Sequence, residues 1–549
     1  MGLGHSEDGE LWMSKKARDV HMQVIGLSRM GKSYFLEHMI RQDIAKGAGV
    51  CVIDPHGELY EHLVEWLAAN DVHKKRRIHL IHPAQGKWSV GLNPLCRGDE
   101  PIETRVGAML DACQKVWGDA ESQGFKTLRK LLDMIFVTLA HHGLSLREAR
   151  LLSTIENKAI RQELVEQTGD ADLIAQWGQL DALTSNEESQ VMDAVNNRLW
   201  EMTRTPGVKS MIGQTEKVLD FKLCMERNHI VLVNLAHEGK IRPQVAKILG
   251  SLLVADLHYR AQSRNIDEAK DNPFYCYVDE CGRFINETIV EGLDETAKFG
   301  LHYVLSHQRL RQLGEPDSVI REGVIGGAQN KVVFLQEDPA SASAMGEFLF
   351  EKEFNLERPK DILIKPTVVG YTREWLQREG YARATSQAEG TSTSLNDGLA
   401  ERLVEDDETP IVTATASLSA GESASWGISE AYSSGSSETL IPIFENLAGG
   451  TYSLDELKHE AKVRVRMLQA RQAYAYTADD RKAVQFVTPD VFEASPTLEQ
   501  IGEFFEAISE REPYTKLSAD VEEDVRARAA RLGFQDPGDV IGEGDGYDD

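Results

Sequence analysis

The stretch Gly26-Leu-Ser-Arg-Met-Gly-Lys-Ser33, GLSRMGKS, has the spacing G-x-x-x-x-G-K-S. It follows DVHMQVIG (19–26), an apolar run that predicts a short buried strand. It precedes KSYFLEHMIRQDIAKG (32–47), in which apolar residues recur at helical spacing and a glycine ends the pattern. Strand, glycine loop and helix in this order are the context in which the spacing indicates a phosphate-binding loop. An ordinary glycine turn before a helix is the alternative.

The residue types of this loop suit a nucleotide triphosphate. Gly26 and Gly31 allow the chain to curl so that successive N–H groups point at phosphate oxygens, and the helix adds the positive end of its dipole. We expect Lys32 to reach the β- and γ-phosphates and the Ser33 hydroxyl to bind Mg²⁺. The other candidate nucleotide contacts in this stretch are Arg29, Met30 and Tyr34.

Acidic residues follow two further predicted strands. In NPFYCYVDECGRF the apolar run Phe274–Val278 precedes Asp279, a candidate Mg²⁺ ligand, and Glu280, a candidate base for the attacking water. A second strand, Gly49–Ile53, precedes Asp54 and His56. In open α/β sheets, ligand chemistry gathers at the carboxyl ends of strands. A solvated strand end is the alternative for the Asp279–Glu280 pair.

A polar segment follows another predicted strand, Tyr303–Leu305, in KFGLHYVLSHQRL. Ser306, His307 and Gln308 come directly after it. Gln308 could hydrogen-bond the γ-phosphate or the lytic water and report hydrolysis, or it could be an ordinary polar loop residue.

Changes in pattern along the chain predict several segments. Strands and helices alternate over 1–102 and 225–383, and the segment between them, 103–224, is helical by period and reads as an all-α insertion. Residues 384–440 are rich in Ser and Thr and are either a flexible linker or strands of a β-rich appendage. Residues 441–535 predict a helix, a hairpin and further helix, and 536–549 an acidic disordered tail.

Composition narrows the class of protein. With 549 residues, 41% hydrophobic and 27% charged, the chain is typical of a soluble globular protein of two or three domains. We expect it to be cytoplasmic and not inserted in a membrane, because it has neither an apolar run of about 18 residues nor a signal peptide. Six cysteines without a C-x-x-C pair predict buried thiols.

Net charge bears on nucleic-acid binding. The value of −28 argues against general affinity for nucleic acid, but not against a local basic channel. The runs HKKRR (73–77) and KVRVRMLQAR (462–471) are either basic contact sites or solvated faces.

The motifs in their order resemble the HerA/FtsK-type superfamily of DNA-pumping ATPases. The chain looks closest to the branch that contains HerA-like helicases and conjugative (type IV secretion) DNA coupling proteins. The resemblance covers about Val20 to Pro366 and rests on GLSRMGKS, VIDPHGEL, GLNPL, HIVLVNLA, ILGSLLV, YVDECGRF, KFGLHYVLSHQRL and AQNKVVF.

The resemblance implies a RecA-like P-loop α/β core interrupted by the all-α insertion. It implies a homohexameric ring that moves on double-stranded DNA and binds ATP and Mg²⁺ between subunits. It assigns Gln308 as the sensor of hydrolysis and places Asp54 and His56 near the nucleotide. An arginine from the neighbouring subunit is also expected. Relatives carry Arg-Lys where this chain has Ala297-Lys298, which leaves as alternatives Arg283, Arg311 and Arg321.

The leading functional hypothesis is an ATP-driven DNA translocase or helicase. It would act with a partner nuclease or transfer protein of a mobile element or an antiviral defence system. A nucleotide-regulated oligomeric scaffold that activates a partner effector is the first alternative. A conjugative coupling protein anchored by a separate subunit is the second.

Overall fold

A computed structural model describes most of the chain. The described residues are 1–95, 101–117, 123–237, 240–287, 290, 292–358, 365–389, 393–400, 413–420, 424–447, 451–511 and 513–534. They form two compact units, Met1–Phe354 with Leu454–Asp549, and Asn355–Ser453. The predicted acidic tail and Cys96 lie outside the described residues.

The strands follow one another along the chain as β1 Gly2–Ser6, β2 Gly9–Trp12, β3 Met22–Ile25, β4 Gly49–Asp54, β5 Ile78–Ile81, β6 Trp88–Val90, β7 Ile230–Asn234, β8 Phe274–Val278, β9 Leu301–His307, β10 Asn330–Phe334, β11 Lys365–Glu389, β12 Thr393–Ala400, β13 Thr413–Ala420, β14 Ala424–Leu447, β15 Gln472–Tyr476, β16 Ala483–Val487 and β17 Thr515–Leu517.

The α-helices are α1 Lys15–Arg18, α2 Lys32–Ala45, α3 Glu58–Ala69, α4 Ile102–Trp117, α5 Gln123–His142, α6 Ala149–Leu152, α7 Lys158–Thr168, α8 Ala171–Asp181, α9 Ser185–Thr203, α10 Pro206–Ile212, α11 Phe221–Glu226, α12 Pro243–Gln262, α13 Ile266–Asp271, α14 Leu293–Thr296, α15 Val319–Gly327, α16 Pro339–Phe350, α17 Leu454–Arg466, α18 Leu498–Arg511 and α19 Ser518–Arg531. Short 3₁₀ helices span Val72–Lys74, Ile155–Asn157, Cys281–Arg283, Ala297–Phe299, Leu310–Leu313 and Glu351–Glu353.

One large sheet organises the first unit. Its strand order is β2-β1-β16-β15-β10-β3-β9-β8-β4-β7-β5. The strands from β10 to β5 are mutually parallel, whereas β15, β16, β1 and β2 pair antiparallel. The parallel strands end at a common edge, which carries the phosphate-binding loop predicted from the sequence.

Both faces of the parallel strands are covered, which explains their continuous apolar sequences. In β4, Val50 and Val52 face a core that includes residues of α2, α3 and α18, while Cys51 and Ile53 face a second core. That second core contains residues of α4, α5 and α12. Alternate side chains of a strand point to opposite faces, so these packed layers hold the sheet and its carboxyl edge in place.

Residues 102–226 carry helices α4 to α11 between β6 and β7. Their core is apolar, but it also contains Arg161, which is fully buried and bonds Glu188 at 2.6 Å and Asp181. A buried charge of this kind is tolerated because carboxylates pair with it. The helix α19 packs on the same region through ion pairs of Arg528 with Glu148 and of Glu522 with Arg147.

Two features of the sheet were not predicted from the sequence. The hairpin β1–β2 extends the sheet through pairing of His5 with Val487. The strand β9 is longer than predicted and includes Ser306 and His307, so only Gln308 follows it. The prediction that all three residues follow the strand is wrong, because parallel pairing of β9 with β3 continues to His307.

The second unit is built from paired strands. β11 pairs antiparallel with β14, and β12 with β13. β11 begins at Lys365, before the boundary that composition suggested at residue 384. The sequence boundary follows the rise in Ser and Thr, whereas a single strand, β11, runs through that position.

Three further expectations concern membrane insertion and burial. No described helix combines the length and the apolar character needed to cross a bilayer. The five described cysteines are buried. Within HKKRR, Arg76 is not a solvated residue: its guanidinium donates to the carbonyls of Ile44 at 3.0 Å and Ala48 at 2.7 Å.

Candidate functional site

The loop between β3 and α2 has the backbone geometry of a tight anion-binding turn. Arg29 has φ of 64° and Gly31 has φ of 102°, both in the left-handed region. Gly26 packs so closely that an added Cβ would lie 2.4 Å from Cβ of Phe334. Among the described residues no side chain caps the start of α2, so its first N–H groups face outward for a ligand.

Lys32 is buried at the start of α2. Its ammonium donates to the carbonyl oxygens of Gly26 at 2.5 Å and Leu27 at 3.2 Å. Burial lowers the pKa of this ammonium, while the carboxylates of Asp279 and Glu280 raise it. The loop lysine and the two acids therefore interact across the carboxyl edge of the sheet.

Asp279 and Glu280 follow β8 and are 8% and 3% exposed. The Asp279 N–H donates to Ile53 O at 3.0 Å, which ties the first acid to the end of β4. Glu280 has φ of 46° and ψ of 46°, a left-handed conformation that is unfavourable for a residue with a side chain. Such strain is concentrated at functional sites.

Two glutamine amides hold the Glu280 carboxylate. Gln308 Nε2 donates to Oε1 at 2.5 Å, and Gln312 Nε2 donates to Oε2 at 2.6 Å. Gln312 Oε1 accepts from the N–H groups of Gln308 at 2.7 Å and Arg309 at 3.1 Å. Gln312 thus bonds both the acid and the segment that carries Gln308. Sequence reasoning missed Gln312, although it lies four residues after Gln308 in QRLRQ.

Asp54 is buried at the end of β4, next to Asp279. Its carboxylate accepts from the N–H groups of His56 at 2.8 Å and Tyr60 at 3.0 Å, so it caps the turn that leads into α3. Burial raises the pKa of Asp54, those backbone bonds lower it, and the Asp279 carboxylate raises it. The His56 side chain is exposed.

His307 lies behind the loop, at the end of β9. Its carbonyl accepts from the Gly26 N–H at 3.2 Å. Nδ1 lies 3.1 Å from the carbonyl of Arg309, and Nε2 lies 2.9 Å from Nε2 of Gln23. Burial lowers the pKa of His307 to about 3, so its imidazole is neutral near pH 7. A neutral ring that donates through Nδ1 and accepts through Nε2 satisfies both contacts.

Arg471 is a second residue that sequence reasoning missed. Its N–H donates to Met30 O at 2.9 Å, and a Cβ added at Gly31 would lie 3.4 Å from its Cα. It has φ of 70°, and its guanidinium bonds Thr488 O at 2.7 Å and Asp490 at 2.6 Å. The only signal was the basic run 462–471, which does not reveal proximity to the loop.

Gln336 is a third unpredicted residue. It follows β10, beside Leu335, whose carbonyl accepts from the Leu27 N–H at 3.2 Å. It is fully buried, and among the described residues neither its amide nitrogen nor its amide oxygen has a hydrogen-bond partner. Buried amides are ordinarily bonded, so Gln336 has bonding capacity for a ligand or solvent molecule at this edge.

The remaining candidates lie nearer the surface. Ser33 and Tyr34 are exposed on the first turn of α2, and Arg29 is exposed in the loop, while Met30 is half-buried. Of the arginine alternatives, Arg283 and Arg311 are exposed, and Arg321 is half-buried.

Solved structures resemble this fold. TrwBdeltaN70, a bacterial conjugative coupling protein in an unbound monoclinic form, has a TM-score of 0.51 and 13% identity, covering 90% of each chain. The plasmid coupling protein TrwB with ADP and Mg²⁺ has a TM-score of 0.51 and 13% identity, covering 88% of this chain and 89% of that chain. The same protein with the ATP analogue ADPNP has a TM-score of 0.50, with the same identity and coverage.

The chain has a fold similar to that of TrwB. The prediction of a RecA-like α/β core, and of a resemblance to the coupling-protein branch, is therefore confirmed at the level of the fold. No protein-family profile matches the sequence. No curated protein matches it by sequence.

Proposed function

We propose that the chain is a Mg²⁺-dependent ATPase in which the loop 26–33 holds the triphosphate. The observation that carries the proposal is that β3 and β8 run parallel on either side of β9, so that the buried Lys32 of the loop and the acids Asp279 and Glu280 share the edge where these strands end. A lysine for phosphate and two acids for a metal ion and a water are the parts that phosphoryl transfer requires. The TrwB structures with ADP and Mg²⁺ and with ADPNP have the same fold and support this assignment.

The oxygen donors of this edge fit Mg²⁺. Mg²⁺ is a hard cation that prefers carboxylate, hydroxyl, water and phosphate oxygens. Ser33 offers an exposed hydroxyl on the first turn of α2, and Asp279 offers a carboxylate at the end of β8. When bound, the ion would neutralise charge on the phosphates.

Glu280 is the residue to orient or deprotonate the attacking water. A carboxylate offers about four lone-pair positions, and the amides of Gln308 and Gln312 occupy two of them. The others can accept from water. Gln308 donates a hydrogen bond directly to the Glu280 carboxylate. If loss of the γ-phosphate moves Gln308, Glu280 moves with it. This coupling is what a sensor of hydrolysis requires.

We further propose that hydrolysis drives movement of a homohexameric ring on double-stranded DNA, together with a partner protein. The support is the likeness to the coupling protein TrwB and the placement of a helical segment between two parts of the sheet-bearing core. Arg283 and Arg311 are exposed and could act on a neighbouring subunit's nucleotide. Contacts to DNA phosphates would weaken with salt.

The ATPase is tested by measuring ATP turnover of the purified chain. We expect Lys32→Ala to abolish turnover and Lys270→Ala, an exposed lysine on α13, to leave it unchanged. Normal turnover in Lys32→Ala would remove the assignment of the loop.

The DNA motor is tested separately. Turnover should rise with double-stranded DNA, and the rise should disappear as salt increases. Equal turnover with and without DNA at every salt concentration would reject the motor and leave the ATPase standing. If Glu280→Gln still assembles into a ring and still gives full activity of a partner effector, the nucleotide-regulated scaffold is favoured over the motor.

A further inference from the structure

A second polar cluster lies at the opposite edge of the sheet, where the parallel strands begin. His79 is the second residue of β5, and His229 directly precedes β7. β5 and β7 pair with Ile78 opposite Ile230. Side chains alternate along a strand, so the two imidazoles project from the same face. The buried thiol of Cys224, in α11, lies on that side.

The three side chains converge on one point. One ring nitrogen of His79, one ring nitrogen of His229 and the sulfur of Cys224 all lie within 4.8 Å of one another. Nε2 of His79 is 3.0 Å from Nδ1 of His229, and the His229 N–H donates to Cys224 O at 2.9 Å, which fixes the turn between them. We propose that His79, Cys224 and His229 bind a borderline-soft divalent cation of the zinc class.

The donor types favour this class of metal. Zinc takes imidazole nitrogen at about 2.0–2.1 Å and thiolate sulfur at about 2.3 Å, usually in tetrahedral geometry. Ligand atoms that lie within 4.8 Å of one another need to move by only about 1 Å to meet those distances. Mg²⁺ and Ca²⁺ are disfavoured, because they select oxygen ligands.

The surroundings of the cluster are buried and positively charged. The guanidinium of Arg77 lies near both imidazoles. Arg76 and Arg227 also face His229. A thiolate at Cys224 would offset one unit of the ion's charge among these cations.

The site would be separate from the nucleotide site and structural in role. β7 runs for five residues from beside His229 to Asn234, about 16 Å at the usual rise, and Asn234 pairs with Asp54. The ring of Tyr514 lies against His79 at 5.5 Å between centroids, and its carbonyl accepts from the Gly91 N–H at 3.1 Å. An ion here would join β5, β7 and α11 beneath the C-terminal segment.

Cobalt absorption tests the proposal on the full chain. Chelator-treated protein without nucleotide is titrated with Co²⁺. We expect a thiolate-to-cobalt charge-transfer band and intense tetrahedral visible bands that saturate at one cobalt per chain and are abolished by Zn²⁺. Cys224→Ser should lose the charge-transfer band. Cys113→Ser, an equally buried cysteine of α4, should keep it.

The outcome does not depend on the variants folding. A wild-type chain without a charge-transfer band overturns the proposal, and the cluster is then a hydrogen-bonded histidine pair of the core. Retention of the band in Cys224→Ser overturns it as well. His229→Gln, checked for native circular dichroism, should weaken cobalt binding with the thiol in place. Cobalt at the phosphate loop would have oxygen ligands and give no such band.

Discussion

The parallel and antiparallel parts of the central sheet differ in burial and in what their ends carry. β3, β4, β8, β9 and β10 are buried along their whole length, whereas burial alternates in β15 and β16. Parallel strands need covering on both faces, while an antiparallel pair can leave one face to solvent. The first pattern produces continuous apolar runs, and the second produces alternation.

This difference in strand direction determines where functional side chains can come together. All parallel strands end at one edge, so Asp54 at the end of β4 meets Asp279 and Gln308, which follow β8 and β9. Antiparallel strands end at alternate edges. The start of β15 and the end of β16 reach this one, because Phe334 pairs with Ala473 and Gln472 pairs with Val487, which brings Arg471 beside the loop.

The largest effect is expected from Glu280→Gln, which alters the parallel edge alone. Glutamine has nearly the same shape but cannot take a proton. A positioned base contributes about 10²–10⁴-fold, so kcat should fall by about that factor while ATP binding persists. Single-turnover hydrolysis measures the loss of rate, and a nucleotide-binding assay measures the retention of ATP binding. The exposed Glu268→Gln is the control, and an unchanged kcat in Glu280→Gln would remove Glu280 from the chemistry.

A smaller effect is expected from Gln312→Ala. The change removes one amide from the Glu280 carboxylate and the acceptor of the N–H groups of Gln308 and Arg309. A hydrogen bond to a charged group is worth about 1.5–3 kcal/mol, so a loss near the lower value lowers kcat about tenfold. KM should not change, since no contact to ATP is assigned to Gln312.

Two measurements decide this assignment. Gln329→Ala, an exposed glutamine outside the cluster, should keep full turnover. If Gln312→Ala raises KM and leaves kcat intact, Gln312 does not position the base.

The parallel part of the fold was largely predictable from the sequence. Its strands carry apolar runs of strand length, and the bounds of β8 agree with those predicted. The acids stand directly after such runs, so their edge follows from the rule that parallel strands end together. The RecA-like core is accordingly the part of the prediction that is confirmed.

The antiparallel part was less predictable, because its pairing joins distant segments. Gly2–Ser6 reads GLGHS, which has no strand-like alternation, yet it pairs with β16 nearly 500 positions later. The positions of Arg471 beside the loop and of Gln312 beside Glu280 depend on tertiary proximity and backbone conformation. Local residue types do not encode either of these. Composition marks the boundary at residue 384 by the rise in Ser and Thr, which carries no information on the pairing that β11 continues through that position.

Lys331 lies on β10, where the two parts of the sheet join. Its ammonium is buried, donates to the carbonyls of Ile325 at 2.6 Å and Ala328 at 2.7 Å, and lies 4.4 Å above the Phe348 ring. Burial lowers its pKa to about 7, whereas the ordinary value is 10.5. Between these pH values the unfolded chain binds the extra proton, so rising pH stabilises the folded state.

We expect this dependence to vanish in Lys331→Met. The free energy of unfolding of the wild type, relative to that variant, should increase by up to about 1.4 kcal/mol per pH unit as pH rises from 7 towards 10.5. Urea unfolding at several pH values measures it. A difference that is constant over this range would show that Lys331 stays charged at the junction.

The smallest effect is expected at Arg471, and it decides what the antiparallel part contributes to the site. The ion pair of Arg471 with Asp490 is exposed, so its loss should cost less than about 1 kcal/mol. Arg471→Gly keeps the N–H bond to Met30 and relieves strain of about 1–2 kcal/mol at φ of 70°, a strain that arginine already bears and Arg471→Ala retains. Equilibrium unfolding of the two variants should therefore rank alanine below glycine.

ATP binding by the same two variants separates backbone from side chain. If the backbone of Arg471 supports the loop at Met30 and Gly31, both variants retain the wild-type KM for ATP. If both variants lose affinity equally, the guanidinium itself acts on the nucleotide. In that case the antiparallel strands supply a ligand-binding charge as well as support, and the division between the two parts of the sheet fails at this residue.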